Sequence, residues 1–146
     1  MSRTVNKAAR RTREGLGAVP GRGARLQQLG EDLDIRAKSW INAGGETFLA
    51  YGRVVLLERV QELGSISAAA RSIGMSYRRA WWHIEAMNRL AMRPLVETSV
   101  GGKDGGGAHL TPTGEAAVEI YRRLDSKTKS FEELIKRELS RVPGSL

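Results

Sequence analysis

The chain has 146 residues, and its 24 lysines and arginines outnumber its 16 aspartates and glutamates, giving a formal net charge of +8. This length suits one folded domain with extensions, and the basic balance favours a polyanionic partner. The chain contains no cysteine and only two histidines, His83 and His109, so we expect no disulfide, metal site or cofactor. Without an apolar run of membrane-spanning length or a signal-peptide core, we expect a cytoplasmic protein with no membrane partner.

Residues 1–30 are rich in arginine and glycine, and Glu14 is their single acidic residue. They show no sustained period of a helix or a strand, so we predict a flexible basic arm. The arm either adds phosphate contacts on DNA or is only a solvated tail.

The next segment predicts a β-hairpin followed by a helix. Odd positions from Leu33 to Ile41 form a mainly apolar face at strand period, and turn residues at 42–45 precede a second strand at Glu46–Leu49. Beyond Arg53, apolar residues at helical spacing predict a helix that ends at Gly64. Its expected core positions are Val55, Leu56, Val60 and Leu63.

Gly64–Trp81 has the pattern of a helix-turn-helix that binds DNA. Ser65 and Ser76 are predicted to cap the two helices, and Gly74 can adopt the left-handed conformation of the turn. Three alanines, 68–70, allow the second helix to cross closely.

The second of these helices has a predicted core stripe at Ala80, Ile84 and Met87. Trp81 lies beside this stripe and is expected to pack. The positions expected to face outward, at least in part, are Tyr77, Arg78, Arg79, Trp82, His83 and Ala86. An arginine fork matches guanine O6 and N7, so Arg78 and Arg79 are candidates for base or phosphate contact.

Two side chains on this face have open alternatives. The Trp82 indole either contacts a thymine methyl or sugar or covers an edge of the core. His83 either donates to a phosphate or is an ordinary surface histidine.

Two predicted strands, Pro94–Thr98 and Ala108–Thr111, flank a glycine-rich loop at 101–107. The loop lacks the order of a phosphate-binding P-loop and does not open a helix, so we predict a DNA-binding wing with Lys103 at its tip. A surface hairpin without a DNA role is the alternative.

A long helix is predicted from Pro112, with Thr111 as its cap, to about Leu139. Apolar residues at alternating spacings of four and three form a seam suited to helix pairing, and we expect dimerisation there. The seam consists of Ala117, Tyr121, Leu124, Thr128, Phe131 and Ile135.

No set of nucleophile, base and orienting group can be assembled from the sequence, so we do not expect an enzyme. The ordered motifs instead resemble the N-terminal DNA-binding domain of the ModE family of molybdate-responsive transcriptional regulators, whose winged helix is related to that of LysR-type regulators. The resemblance covers roughly residues 33 to 125. It rests on Gly52–Arg53, Leu56–Glu58, Gly64–Arg71, Gly74–Trp81, Asn88–Arg89, Pro94–Thr98, Gly101–Lys103, Gly105–Ala108, Leu110–Pro112 and Gly114.

The resemblance implies a homodimer that binds double-stranded DNA at an inverted repeat, with the recognition helix at Ser76–His83. We expect a stand-alone form that lacks the family's molybdate-binding domains and has an unknown effector. The candidate DNA-binding residues are Ser65, Ser76, Tyr77, Arg78, Arg79, Trp82, His83 and Lys103. The alternatives are a non-specific architectural DNA-binding protein and a modulator that forms mixed dimers with a full-length regulator.

The sequence thus predicts a mainly α protein with small β elements. Its fold class is a winged helix-turn-helix with an N-terminal β-hairpin and a long C-terminal dimerisation helix. The expected domains are the arm at 1–30, the winged helix-turn-helix with its hairpin at 31–111, the long helix at 112–140 and a tail at 141–146.

Overall fold

The structure is a computed structural model that describes residues 34–101 and 106–141. The predicted arm, Leu33, Lys103 and the chain after Arg141 lie outside these ranges. The elements are β1 (Trp40–Ala43), β2 (Glu46–Ala50), α1 (Tyr51–Leu63), α2 (Ile66–Ser72), α3 (Tyr77–Leu90), β3 (Val96–Ser99), β4 (Gly107–Leu110) and α4 (Pro112–Arg141). Residues 36–133 form one compact unit, which contains both hairpins and the helix-turn-helix.

Strands β1 and β2 form the predicted hairpin, with Gly44 and Gly45 at positive φ in the turn. The first strand begins at Trp40 instead of Leu33, because its partner for further pairing would be Tyr51, which already belongs to α1. Residues 34–39 still alternate in exposure as predicted. The register skips Phe48, which therefore forms a bulge in β2.

Helix α1 buries a face that differs from the prediction. Its buried residues are Val54, Leu56, Leu57 and Val60, while Leu63 is 47% exposed. The run from Val54 to Leu57 is entirely apolar, so the sequence alone does not select which of its members face the core. Gly64 ends the helix at φ 64°, as predicted.

The helix-turn-helix is confirmed with its capping. The Ser65 hydroxyl accepts a hydrogen bond from the Ala68 N–H at 3.2 Å, and the Ser76 hydroxyl accepts one from the Arg79 N–H at 3.3 Å. Gly74 has φ 65°, the left-handed conformation that the turn requires. Ala69 and Ala70 are buried, which allows the close crossing.

Strands β3 and β4 form an antiparallel wing. Its base is fixed to α3 by Asn88, whose amide oxygen accepts the N–H groups of Leu95 at 2.8 Å and Val96 at 3.2 Å. On the other strand, the Ala108 N–H donates to the Gly64 carbonyl at 2.9 Å. The wing is therefore hydrogen-bonded to α3 and to the turn before α2.

Helix α4 starts against the base of the wing. The Thr111 hydroxyl accepts the Gly114 N–H at 3.1 Å and donates to the Pro94 carbonyl at 2.6 Å, so the predicted cap also fastens the helix to the start of β3. Gly114 is buried, and a Cβ atom placed on it would lie 2.2 Å from the Leu95 carbonyl oxygen. The close approach thus needs a glycine.

Candidate DNA interface

The two faces of α3 separate core from solvent largely as predicted. Ala80, Ile84 and Met87 are at most 2% exposed. The prediction that Ala86 faces outward is wrong, because it is 7% exposed. Ala86 lines a groove together with Val96 and Thr98 of the wing, and a helical pattern taken alone cannot include that neighbouring strand.

The first turns of α3 present an exposed cationic surface. Arg78 and Arg79 are exposed, and the part of the chain that the structure describes gives neither of them an ion-pair partner. The first turn of α3 contains no acidic residue. The positive end of the helix dipole adds to these charges, so this surface is suited to an anion such as a DNA phosphate.

The aromatic side chains of α3 divide between the core and the surface. Trp81 packs partly buried against the core, as predicted, and stacks with Tyr77 at 6.4 Å between ring centroids. Tyr77 itself is 56% exposed. Trp82 is 58% exposed and lines a shallow groove with Ser76, Arg78 and Arg79. The exposed ring can therefore contact a ligand that lies along the start of α3.

Arg53, a residue of α1, belongs to the same surface and was missed by sequence reasoning. Its guanidinium carbon lies 5.9 Å from the centroid of the Trp82 ring. His83 meets the same ring edge-on at 5.0 Å. No local pattern in the sequence indicates the contact, because Arg53 and Trp82 lie on helices separated by the whole of α2.

The electrostatics of this surface act against further positive charge. Burial, followed by the charges of Arg53 and Arg79, lowers the pKa of His83 below its ordinary value of 6.5. Burial also lowers the pKa of Arg53, and the negative charge of the Glu46 carboxylate partly offsets this lowering. The His83 Nδ1 atom is buried and accepts or donates no hydrogen bond within the described ranges. A bound anion would relieve the repulsion among these cations.

Ser65 is half-buried and its hydroxyl is engaged in the cap of α2, so its DNA contact stays a prediction. Lys103 lies outside the described residues, and the structure does not place it. On the wing, His109 is exposed and lies 3.6 Å from the Glu97 carboxylate on the neighbouring strand. The structure therefore describes both strands of the wing, whereas the predicted DNA contact of Lys103 at the tip stays a prediction.

The seam predicted on α4 is divided between two environments. Ala117 is 7% exposed and Tyr121 is 1% exposed, and the Tyr121 hydroxyl donates to the Ser39 carbonyl at 2.9 Å. These two residues belong to the core of the chain itself, which corrects their assignment to dimerisation. Leu124 packs partly against that core, and the Thr128 hydroxyl donates to the Leu124 carbonyl at 3.0 Å.

Farther along the helix, Phe131 is 55% exposed, whereas Ile135 is half-buried. The part of the predicted seam that remains available to a partner therefore lies toward the C-terminal end of α4.

Over the described ranges, no helix has both the length and the apolar character to cross a membrane. Within the same ranges no group of three acidic or histidine side chains is arranged to hold a metal ion.

Residues 52–115 match the bacterial regulatory helix-turn-helix proteins of the lysR family. The chain is 45% identical over 78 residues to the transcriptional regulator ModE of Haemophilus influenzae, covering 53% of this chain and 31% of that protein. It is 42% identical over 83 residues to the DNA-binding transcriptional dual regulator ModE of Escherichia coli K12, covering 56% and 32% of the two chains.

The molybdenum-pterin-binding protein MopB of Rhodobacter capsulatus is 40% identical over 94 residues, which is 64% of this chain and 35% of MopB. The chain thus matches about a third of the length of each of these relatives. The ModE relatives are named as transcriptional regulators, in agreement with the expectation that the chain is not an enzyme.

Proposed function

Because residues 52–115 form a ModE-like helix-turn-helix domain of the LysR type, we propose that this protein is a sequence-specific transcriptional regulator of molybdenum-related genes. The observation that carries the proposal is the exposed start of α3. Within the described part of the chain, Arg78 and Arg79 form no ion pair there. In this arrangement α3 enters the major groove and the two arginines contact guanine edges or phosphates.

The protein acts as a homodimer on an inverted repeat in this proposal. The exposed Phe131 side chain of α4 supports pairing through this helix. Symmetric pairing would present two copies of α3 to successive major grooves, roughly 34 Å apart. A cytoplasmic location belongs to the same proposal, since a bacterial regulator meets its DNA there.

The link to molybdenum rests on the names of the relatives, one of which is described as molybdenum-pterin-binding. A response to molybdate itself is not part of the proposal, because the match covers about a third of the relatives' length. Mapping genomic binding sites with and without molybdate identifies the regulated genes. The same experiment tests whether molybdate changes DNA binding.

Selection of binding sites from a random duplex pool tests the central claim. We expect an enriched inverted repeat, and the absence of any enriched motif would favour a non-specific architectural protein. On the selected duplex, Arg78→Ala or Arg79→Ala should weaken binding by roughly 5- to 150-fold, because a bidentate base contact contributes roughly 1–3 kcal/mol of discrimination. On random duplex the same variants should lose far less.

Arg123→Ala is the matched control for charge. Arg123 is an exposed residue of α4 whose guanidinium pairs with Glu119. Its removal lowers the net charge by the same amount and should leave the preference for the selected duplex unchanged. Equal losses on selected and random DNA for both α3 variants would refute base recognition by these arginines.

A further inference from the structure

Trp82 is a large apolar side chain on the exposed face of α3, and its ring contacts the side chain of Arg53. The Arg53 guanidinium lies 5.9 Å from the ring centroid, within the range of a cation–π contact. An exposed ring that is held by one neighbour can present a defined surface to DNA, whereas a free one samples several rotamers.

Arg53 is itself held in place by the hairpin. Its Nη1 atom donates to the carbonyl oxygen of Phe48 at 3.1 Å and also to that of Thr47. Phe48 is the bulged residue without a register partner, so the guanidinium bonds to backbone at the point where the hairpin ladder is interrupted. Since the guanidinium is planar and rigid, fixing it on these carbonyls also fixes its plane beside the indole.

The hairpin contacts α3 at a second point. The Arg89 guanidinium forms two hydrogen bonds with the Glu46 carboxylate, at 2.7 and 3.2 Å. Glu46 opens β2, and Arg89 lies in the last turn of α3. The same strand thus supports both the Trp82 region and the far end of the recognition helix.

On these contacts, and resting on the DNA-binding function proposed above, we propose that Arg53 is a positioning residue that holds the Trp82 indole for contact with DNA. The indole then meets an apolar edge in the groove, such as a thymine methyl, in one orientation. The β1–β2 hairpin contributes to sequence preference through Arg53 without touching the DNA.

Arg53→Lys tests the proposal because it keeps the charge and removes the planar fork. The matched control is Arg59→Lys, an exposed residue of the same helix whose guanidinium pairs with Glu62. The first readout uses protein without DNA: the indole N–H resonance of Trp82 in a ¹H–¹⁵N spectrum, assigned with Trp82→Phe. We expect Arg53→Lys to shift this resonance and Arg59→Lys to leave it in place.

The second readout is fluorescence anisotropy with the selected duplex and a random duplex. Freeing one side chain should weaken binding to the selected duplex roughly two- to tenfold, with little change on random DNA. The effect should disappear when Arg53→Lys is made in the Trp82→Phe background. If it persists there undiminished, Arg53 contacts the DNA directly and the positioning role is wrong.

An unmoved Trp82 resonance in Arg53→Lys would also overturn the proposal. If the lysine variant does not fold, as judged by far-UV circular dichroism, Arg53→Gln keeps an amide donor for the Phe48 carbonyl and is scored by the same two readouts. A wild-type protein without sequence preference would refute the proposed function instead, and the DNA-free resonance would still decide whether Arg53 fixes Trp82.

Discussion

Replacement of Gly114 by alanine tests how closely the start of α4 approaches the wing. The added Cβ would lie 2.2 Å from the Leu95 carbonyl oxygen, 3.0 Å from its carbon and 3.3 Å from the Leu110 Cβ. The first two of these atoms are backbone and cannot move aside by a change of rotamer. The Leu95 carbonyl must therefore shift, although it accepts the Thr111 N–H at 2.9 Å.

Three effects decide the size of the change. Overpacking a filled site costs about 1–3 kcal/mol, and weakening the Leu95–Thr111 hydrogen bond costs about 0.5–1.5 kcal/mol. Alanine is favoured over glycine in a helix by up to about 1 kcal/mol, which acts in the opposite direction. We expect Gly114→Ala to lower the free energy of unfolding by roughly 1 to 3 kcal/mol.

Urea unfolding followed by circular dichroism measures this change as a lower midpoint at an unchanged m-value. Gly52→Ala is the matched control, because Gly52 lies in the first turn of α1 and a Cβ there meets no atom within 4 Å. That variant should be neutral or more stable by up to about 1 kcal/mol. A Gly114→Ala variant that is as stable as the wild type, or more stable, would refute the close contact at Gly114.

Two further predictions concern α4 and His83. Phe131→Ser should shift the sedimentation coefficient from that of a dimer to that of a monomer. Because Phe131 is 55% exposed, the variant should change the free energy of unfolding of the single chain by less than about 0.5 kcal/mol. The exposed-site control Lys127→Ser should stay dimeric, and a dimeric Phe131→Ser would contradict pairing at Phe131. Burial and the charges of Arg53 and Arg79 lower the pKa of His83 in the folded protein below 6.5. As the pH falls below about 6.5, His83 therefore binds a proton more readily in the unfolded chain, and the free energy of unfolding decreases. His83→Gln should reduce this fall in urea midpoints between pH 7.5 and 5.5, and an identical fall would show that His83 is not its source.

Features written in short stretches of sequence could be predicted. Ser65, Ser76 and Thr111 each accept the backbone N–H expected of a helix cap, and Gly64 and Gly74 adopt the conformation that their turns need. Such signals depend on neighbours within a few residues, so a single sequence is enough to identify them.

Contacts between distant residues could not be predicted in this way. The Arg53–Trp82 stack and the Glu46–Arg89 ion pair each join different elements, and no periodicity specifies which exposed cation meets which partner. The seam of α4 shows a related limit. Heptad spacing indicates an apolar face, but it does not distinguish the chain's own core, which buries Tyr121, from a partner helix that could cover Phe131.

The bond between the Ala108 N–H and the Gly64 carbonyl uses main-chain atoms alone. Side-chain replacement at either end leaves donor and acceptor in place, proline at 108 being the exception because it has no N–H. The attachment of β4 therefore depends on the path of the chain, whereas the attachment of β3 depends on the Asn88 side chain. Substitutions on β4 can change the surface of the wing and keep the hydrogen bond that attaches this strand to the turn before α2.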